Sequence, residues 1–305
     1  MTKPVQVFLR GGLGNQLFQY AAGVNLSYKF DTPLVLRRDL LPTRVSSSGL
    51  VTTWPNQISE FEHLGTFLER MPSSDLRRWI ESRFGQTLRW LGDAVPAAPY
   101  AFGQFAYENN PDYSHFAKIR KPLAINAYCA DPAYFDNVAD VVASSVRNIR
   151  NPSDWFHLTQ SRIVEERPIG IHIRLGDYEN LSHVYGSIRT AFLRRAVAQM
   201  KEIQPDCPIW IFSDDPARAK EILQGQVEFD HLVEPPETSR PLENLLLLSQ
   251  CQGLICTNST FSWWAAFLGH RFDNRVIFPR PLYPNNNFLE PKRWLLPAWQ
   301  QVGDD

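Results

Sequence analysis

Apolar residues fall into short continuous runs that alternate with stretches spaced three and four residues apart, the pattern of buried strands interleaved with amphipathic helices. Residues 5–9 read as a buried strand rich in β-branched and aromatic side chains. The turn Gly11-Gly12-Leu13-Gly14-Asn15 follows, then a helix whose apolar side uses Leu17, Phe18, Ala21, Val24 and Tyr28. Pro33 ends that helix, and 34–36 predicts the next strand. This strand-turn-helix-strand opening belongs to a doubly wound layer. From about 40 to 120 the pattern is irregular and punctuated by prolines. One amphipathic helix stands out there, with Leu76, Trp79, Ile80, Phe84, Leu88 and Leu91 on its apolar face.

Regularity returns after a helix around 132–146 and a crossover at 148–152. Strands are predicted at 168–174, 208–212, 231–233, 253–257 and 275–279, the last of the series. Helices are predicted near 188–203, from Pro216, at 242–249 and at 262–268. Alternating strands and helices imply a parallel sheet covered by helices.

A chain of 305 residues is long enough for two cores, and the crossover places the boundary between domains 1–150 and 151–305. A net charge of −1 argues against non-specific nucleic-acid binding, which needs surplus Lys and Arg. Cys129, Cys207, Cys251 and Cys256 form no closely spaced pair, so neither a zinc site nor a disulfide framework is expected, and Cys256 reads as a buried small hydrophobe. No long apolar run opens or interrupts the chain, and a cytoplasmic protein that does not span a membrane is expected. Work on lipid-linked substrates is compatible with that reading.

In open α/β sheets ligands bind beyond the carboxyl ends of the strands. Polar residues collect at four such ends: 10–16, 172–178, 213–215 and 257–264. Arg174 is the foremost candidate, a planar fork of donors suited to phosphate oxygens, with a salt bridge to Asp177 as its plainer role. Gly176 permits a tight loop, and alternation puts His172 on the face of Arg174. Asn258, Ser259, Thr260 and Ser262, around Phe261, open a helix and suit either an anion or simple N-capping. Gly12, Gly14, Asn15 and Gln16 offer a turn that approaches a phosphate, although Leu17 breaks the G-x-G-x-x-G fingerprint. Asp214 is free to bind a ligand, whereas Asp215 suits a helix cap. Glu243 suits a guanine edge or its helix's own first turn.

Taken together, 11–20, 172–178, 212–215 and 258–264 resemble the bacterial α-1,2-fucosyltransferases of glycosyltransferase family 11, with Leu175 standing where the family commonly has a second Arg. The resemblance implies a GT-B-like α/β fold, two Rossmann-like domains with parallel sheets facing across a cleft, the C-terminal one holding GDP. It implies GDP-β-L-fucose as donor substrate and a terminal galactoside as acceptor, with inversion to an α-1,2 link and neither metal nor cofactor. Gly12, Gly14, Asn15, His172, Arg174, Asp214, Glu243, Asn258, Ser259, Thr260, Phe261 and Ser262 are then the expected donor contacts. Arg174, Asn15, Asp177 and His183 are the expected catalytic set, with Asp177, Glu179 and His183 as alternatives for accepting the acceptor's proton. Other GT-B transferases using GDP-sugars, and a non-catalytic carbohydrate-binding relative, are the rival readings.

Overall fold

The computed structural model describes residues 3–37, 103–107, 113–175, 188–283 and 294–304, with backbone at 44–45, 51–52 and 66–67 and single positions at 87 and 91. The chain divides into two compact units, Met1–Arg150 and Asn151–Asp305.

The first unit carries β1 (Val5–Phe8), α1 (Leu13–Phe30), β2 (Leu34–Arg37), β3 (Arg44–Val45), β4 (Val51–Thr52), β5 (Thr66–Phe67), β6 (Gln104–Ala106), α2 (Tyr113–Ala117), β7 (Ala124–Asn126) and α3 (Ala139–Arg147). A parallel sheet runs in the order β5-β2-β1-β7-β6, and β3 and β4 pair antiparallel apart from it. Helix α1 is buried along most of its length, and Asp31 closes it in the left-handed conformation. Tyr28, assigned above to its apolar side, is instead 62% exposed. The single helix expected over 132–146 is broken. Two 3-10 turns, Pro132–Tyr134 and Asp136–Val138, precede α3 because Asp131 caps the chain early, accepting from the Ala133 N–H at 2.8 Å. Strands β6 and β7 fall in a stretch whose pattern predicted no strand. The helix expected around 76–91 lies outside the described residues except at 87 and 91, both helical.

The second unit carries α4 (Asp154–Glu166), β8 (Ile169–Ile173), α5 (Thr190–Ile203), β9 (Ile209–Ser213), α6 (Pro216–Leu223), β10 (His231–Leu232), α7 (Pro241–Ser249), β11 (Gly253–Ile255), α8 (Thr260–His270), β12 (Val276–Pro279) and β13 (Gln300–Val302). All strands are parallel, in the order β10-β9-β8-β11-β12-β13. Two elements were missed in the sequence. Helix α4 starts at Ser153, whose hydroxyl accepts from the Phe156 N–H at 3.1 Å, and buries Phe156, Thr159 and Ile163 at helical spacing. Strand β13 follows the strand taken above as the last.

Strand β8 is buried at every position, as a central parallel strand must be. Its alternation sorts the two faces. Ile169, Ile171, Ile173 and then Leu175 enter a core with Phe192, Leu193, Ala196 and Met200 of α5. On the other face α7 and α8 meet so closely that a Cβ on Gly269 would sit 2.0 Å from the Ser249 carbonyl oxygen. Glycine is the residue that lets these two backbones touch.

Candidate functional site

The strand order of the second unit reverses at β8: β9 and β10 lie to one side, β11 to β13 to the other. The switch point lies at the carboxyl ends of β8 and β11, the place where such sheets take ligands. Arg174 leaves β8 there. Its Nη1 lies 3.0 Å from Asp214 Oδ2 at the end of neighbouring β9, and both side chains are 23% exposed. The other oxygen of Asp214 accepts from the Leu175 N–H at 2.8 Å. One carboxylate thus holds the guanidinium and the backbone beside it. Asp214, expected as a ligand contact, is placed as the group that orients Arg174. Leu175 is 2% exposed and belongs to the core, on the opposite face from Arg174.

Across the switch point, α8 begins. Ser259 is its N-cap, with Oγ accepting from the Phe261 N–H at 3.2 Å. The capping role is therefore filled by Ser259. Thr260, at the first helical position, is part-exposed at the N-terminal end of the helix dipole. Asn258 is buried, and its carbonyl accepts from the Tyr283 hydroxyl at 3.2 Å. Ser262 is fully buried and turns inward: its Oγ is 2.6 Å from His172 Nδ1 and 3.3 Å from Thr257 Oγ1. Phe261 stacks on the His172 ring at 4.8 Å between centroids and 22° between planes. Burial, reinforced by the Arg174 charge, pulls the His172 imidazole down to about 3, so the ring is neutral at working pH. Sequence reasoning placed His172 and Ser262 both against the ligand. The structure brings them together and makes Ser262 a support for the histidine.

Glu243 is a correction. Its side chain is 0% exposed, and its two oxygens accept from the Ser153 N–H (2.7 Å), the Arg240 N–H (3.1 Å) and the Arg240 guanidinium (3.2 Å). These bonds close a capping box on α7 and tie it to the start of α4, so the carboxylate presents no edge to a guanine. They hold its pKa below the ordinary value against the opposing effect of burial. Asp215 caps α6, accepting from the Arg218 N–H at 3.0 Å, as expected. Gly176, Asp177, Glu179 and His183 lie outside the described residues.

In the first unit, the turn after β1 is stitched to α1. Gln19 Oε1 accepts from the Arg10 N–H at 2.8 Å, and Gln16 Nε2 donates to the Gly11 carbonyl at 2.7 Å. Gly11 adopts a φ of +71°, and Asn15 folds over it so that a Cβ there would lie 2.6 Å from Asn15 Nδ2. Gly12 caps α1 without a side-chain bond and no acidic residue occupies the first turn, so the dipole at this end of the helix suits an anion. Gln16, expected to add a side-chain donor for a phosphate, is instead fully buried and spends its amide on the Gly11 carbonyl, whereas Gln19 gave no functional signal in the sequence.

Among the described residues no group of three or more His, Cys, Asp or Glu side chains could hold a metal ion, and no helix is long and apolar enough to cross a membrane. All four cysteines are free thiols.

The O-antigen biosynthesis glycosyltransferase WbnK of Escherichia coli is 26% identical over 300 residues, covering 92% of this chain and 95% of its own. An α-1,2-colitosyltransferase of Escherichia coli is 24% identical over 320 residues, 94% of this chain and 96% of its own. Human galactoside α-(1,2)-fucosyltransferase 1 is 28% identical over 149 residues, 45% of this chain and 39% of its own. In fold, the chain is similar to the crystal structure of NodZ α-1,6-fucosyltransferase soaked with GDP-fucose, with a TM-score of 0.50 at 15% identity over 87% of this chain and 93% of that one. The fold class is accordingly GT-B-like, with two Rossmann-like parallel units. The model of glycosyl transferase family 11 matches residues 127–302, a span that includes β8, Arg174, Asp214 and the start of α8, and the chain belongs to that family.

Proposed function

We propose that the chain transfers L-fucose from GDP-β-L-fucose to the 2-hydroxyl of a terminal galactoside, with inversion at the anomeric carbon. The observation that carries this reading is Arg174 at the switch point, held by Asp214 and two residues beyond His172, whose ring meets Ser262 and Phe261 of α8, in a family 11 chain. Departure of GDP builds negative charge on its β-phosphate while the sugar gains oxocarbenium character. Donors fixed in advance around that charge lower the barrier without reorganising. Arg174 supplies a permanent cation, α8 supplies dipole and N–H groups at Thr260, and His172 supplies a neutral ring beside them. The Gly12–Asn15 turn offers the same chemistry within the first unit. These groups can perform the neutralisation that a divalent cation performs in other transferases, and no metal is part of the proposal. The acceptor hydroxyl loses its proton to Asp177, with Glu179 and His183 as the alternatives in the same segment.

The similarity to the α-1,2-colitosyltransferase favours a second reading, in which the chain transfers a colitosyl group in place of fucose. Assay of GDP-fucose, GDP-colitose and GDP-mannose against a panel of galactosides, with product linkage read by NMR, separates the two. Turnover with GDP-fucose to an α-1,2 product is expected. Turnover confined to GDP-mannose, or no thermal stabilisation by GDP near a millimolar, would end the proposal. Arg174→Ala is expected to lower turnover about a hundredfold or more in a folded protein.

A further inference from the structure

Three side chains beside Arg174 form a connected series with a direction. Thr257 Oγ1 lies 3.3 Å from Ser262 Oγ, which lies 2.6 Å from His172 Nδ1. Ser262 is 0% and His172 4% exposed, and Phe261 covers one face of the ring. Packing fixes where the imidazole sits. It leaves open which nitrogen carries the proton, and in a neutral histidine that choice decides whether Nε2 donates or accepts. At 2.6 Å the two groups are within hydrogen-bond reach, and the Ser262 hydroxyl can donate to the Nδ1 lone pair. The single proton of Ser262 is then committed, so its oxygen accepts from the Thr257 hydroxyl. Nε2 is left holding the ring proton.

We propose that Thr257 and Ser262 are positioning residues, a hydroxyl relay that holds neutral His172 in its Nε2–H form and so makes it a hydrogen-bond donor to the diphosphate of the sugar nucleotide. The identity of the ligand rests on the donor assignment above, whereas the tautomer does not. A neutral donor suits this place because a second cation, buried beside Arg174, would meet both desolvation and repulsion. The relay also gives Ser262 a reason to be a hydroxyl at a position that capping does not require, since Ser259 already caps the helix.

Long-range ¹H–¹⁵N correlation of ¹⁵N-histidine-labelled protein without ligand reads the tautomer directly, and His172→Gln assigns the signal among the seven histidines. An Nε2–H pattern is expected for the unaltered protein and for Thr257→Ser. A loss of that pattern toward a mixture is expected for Ser262→Ala and, more weakly, for Thr257→Val. With it kcat should fall by about tenfold in Ser262→Ala, with the donor KM within about twofold, since the bond matters most when charge develops on the phosphate. An Nδ1–H form in the unaltered protein, or a Ser262→Ala spectrum identical to it, overturns the relay. Should Ser262→Ala fail to fold, the unaltered protein and the Thr257→Val and Thr257→Ser pair still decide. An Nε2–H form in a protein that does not turn over GDP-fucose upholds the relay and rejects the donor.

Discussion

Replacing Asp214 by alanine separates two roles that a carboxylate beside a phosphate-binding arginine can play. As an orienter, it holds Arg174 in the geometry the ligand needs; as a competitor, it occupies the guanidinium until the ligand displaces it. The two contacts, 3.0 Å to Nη1 of Arg174 and 2.8 Å to the Leu175 N–H, favour orientation, because the same side chain fixes both the guanidinium and its backbone. A hydrogen bond to a charged group contributes about 1.5–3 kcal/mol when buried, and an exposed ion pair under about 1 kcal/mol. At 23% exposure on both sides, about 2 kcal/mol of stability is the expected loss for Asp214→Ala. The catalytic share is smaller. Re-ordering one rotamer-rich side chain costs about 0.5–1.5 kcal/mol, which converts to roughly 2–10-fold in kcat/KM. Steady-state kinetics with saturating acceptor, together with GDP affinity by calorimetry, measures this. Asp214→Asn, which can keep the backbone bond but not the charge, should fall between the alanine variant and the parent. Tighter GDP binding with undiminished turnover in Asp214→Ala would refute the orienting role and leave Asp214 as a competing counter-ion.

Glu243→Ala should destabilise the chain by about 2–4 kcal/mol, because three donors around a fully buried carboxylate lose their partner; the denaturation midpoint reads this, and a loss below about 1 kcal/mol would contradict it. Asp273 accepts from Arg275 Nε at 2.9 and 2.7 Å, and this bonding pulls its carboxyl down to about 2. A lowered folded-state pKa gives stability that is present above the unfolded value near 4 and lost as the pH falls toward 2, amounting to about 1–2 kcal/mol at this exposure. Asp273→Asn should flatten stability against pH in that window, and an unchanged slope would count against the pairing. Gly269→Ala should lower stability by about 3 kcal/mol or prevent folding, since its Cβ would overlap the Ser249 carbonyl oxygen; an unshifted melting temperature would show that α7 and α8 separate cheaply.

Much of the second unit is legible in the sequence because its strands are continuous apolar runs and its helices repeat at helical spacing. The polar strand ends at 172–175, 213–215 and 257–262 are legible for the same reason: each interrupts an apolar run abruptly. Pairing across the sheet is not. Asp214 meets Arg174 because β9 neighbours β8, and nothing local links residues 40 apart. Glu243 shows the cost of local reading. Its place in a first helical turn was evident, but the Ser153 N–H that consumes it lies 90 residues away, at the head of a helix the sequence pattern hid. Helix α4 was hidden because its exposed side carries Leu158 and Val164, which blur the apolar stripe. In the first unit, β6 and β7 are three residues each, too short for alternation to register.

The contact at Gly269 bears on the accuracy of the site at the other end of the same helix. Helix α8 has 11 residues and so spans about 16 Å, with Gly269 near one end and Thr260 at the other. A tilt of about 4° imposed at Gly269 displaces Thr260 by roughly 1 Å over that length and strains the Ser262 and Phe261 contacts with His172. Binding constellations tolerate about 0.5 Å. Gly269 therefore behaves as a fulcrum: a position without a functional group of its own sets the aim of the helix start proposed to meet the donor, and a motif search confined to the strand ends passes over it.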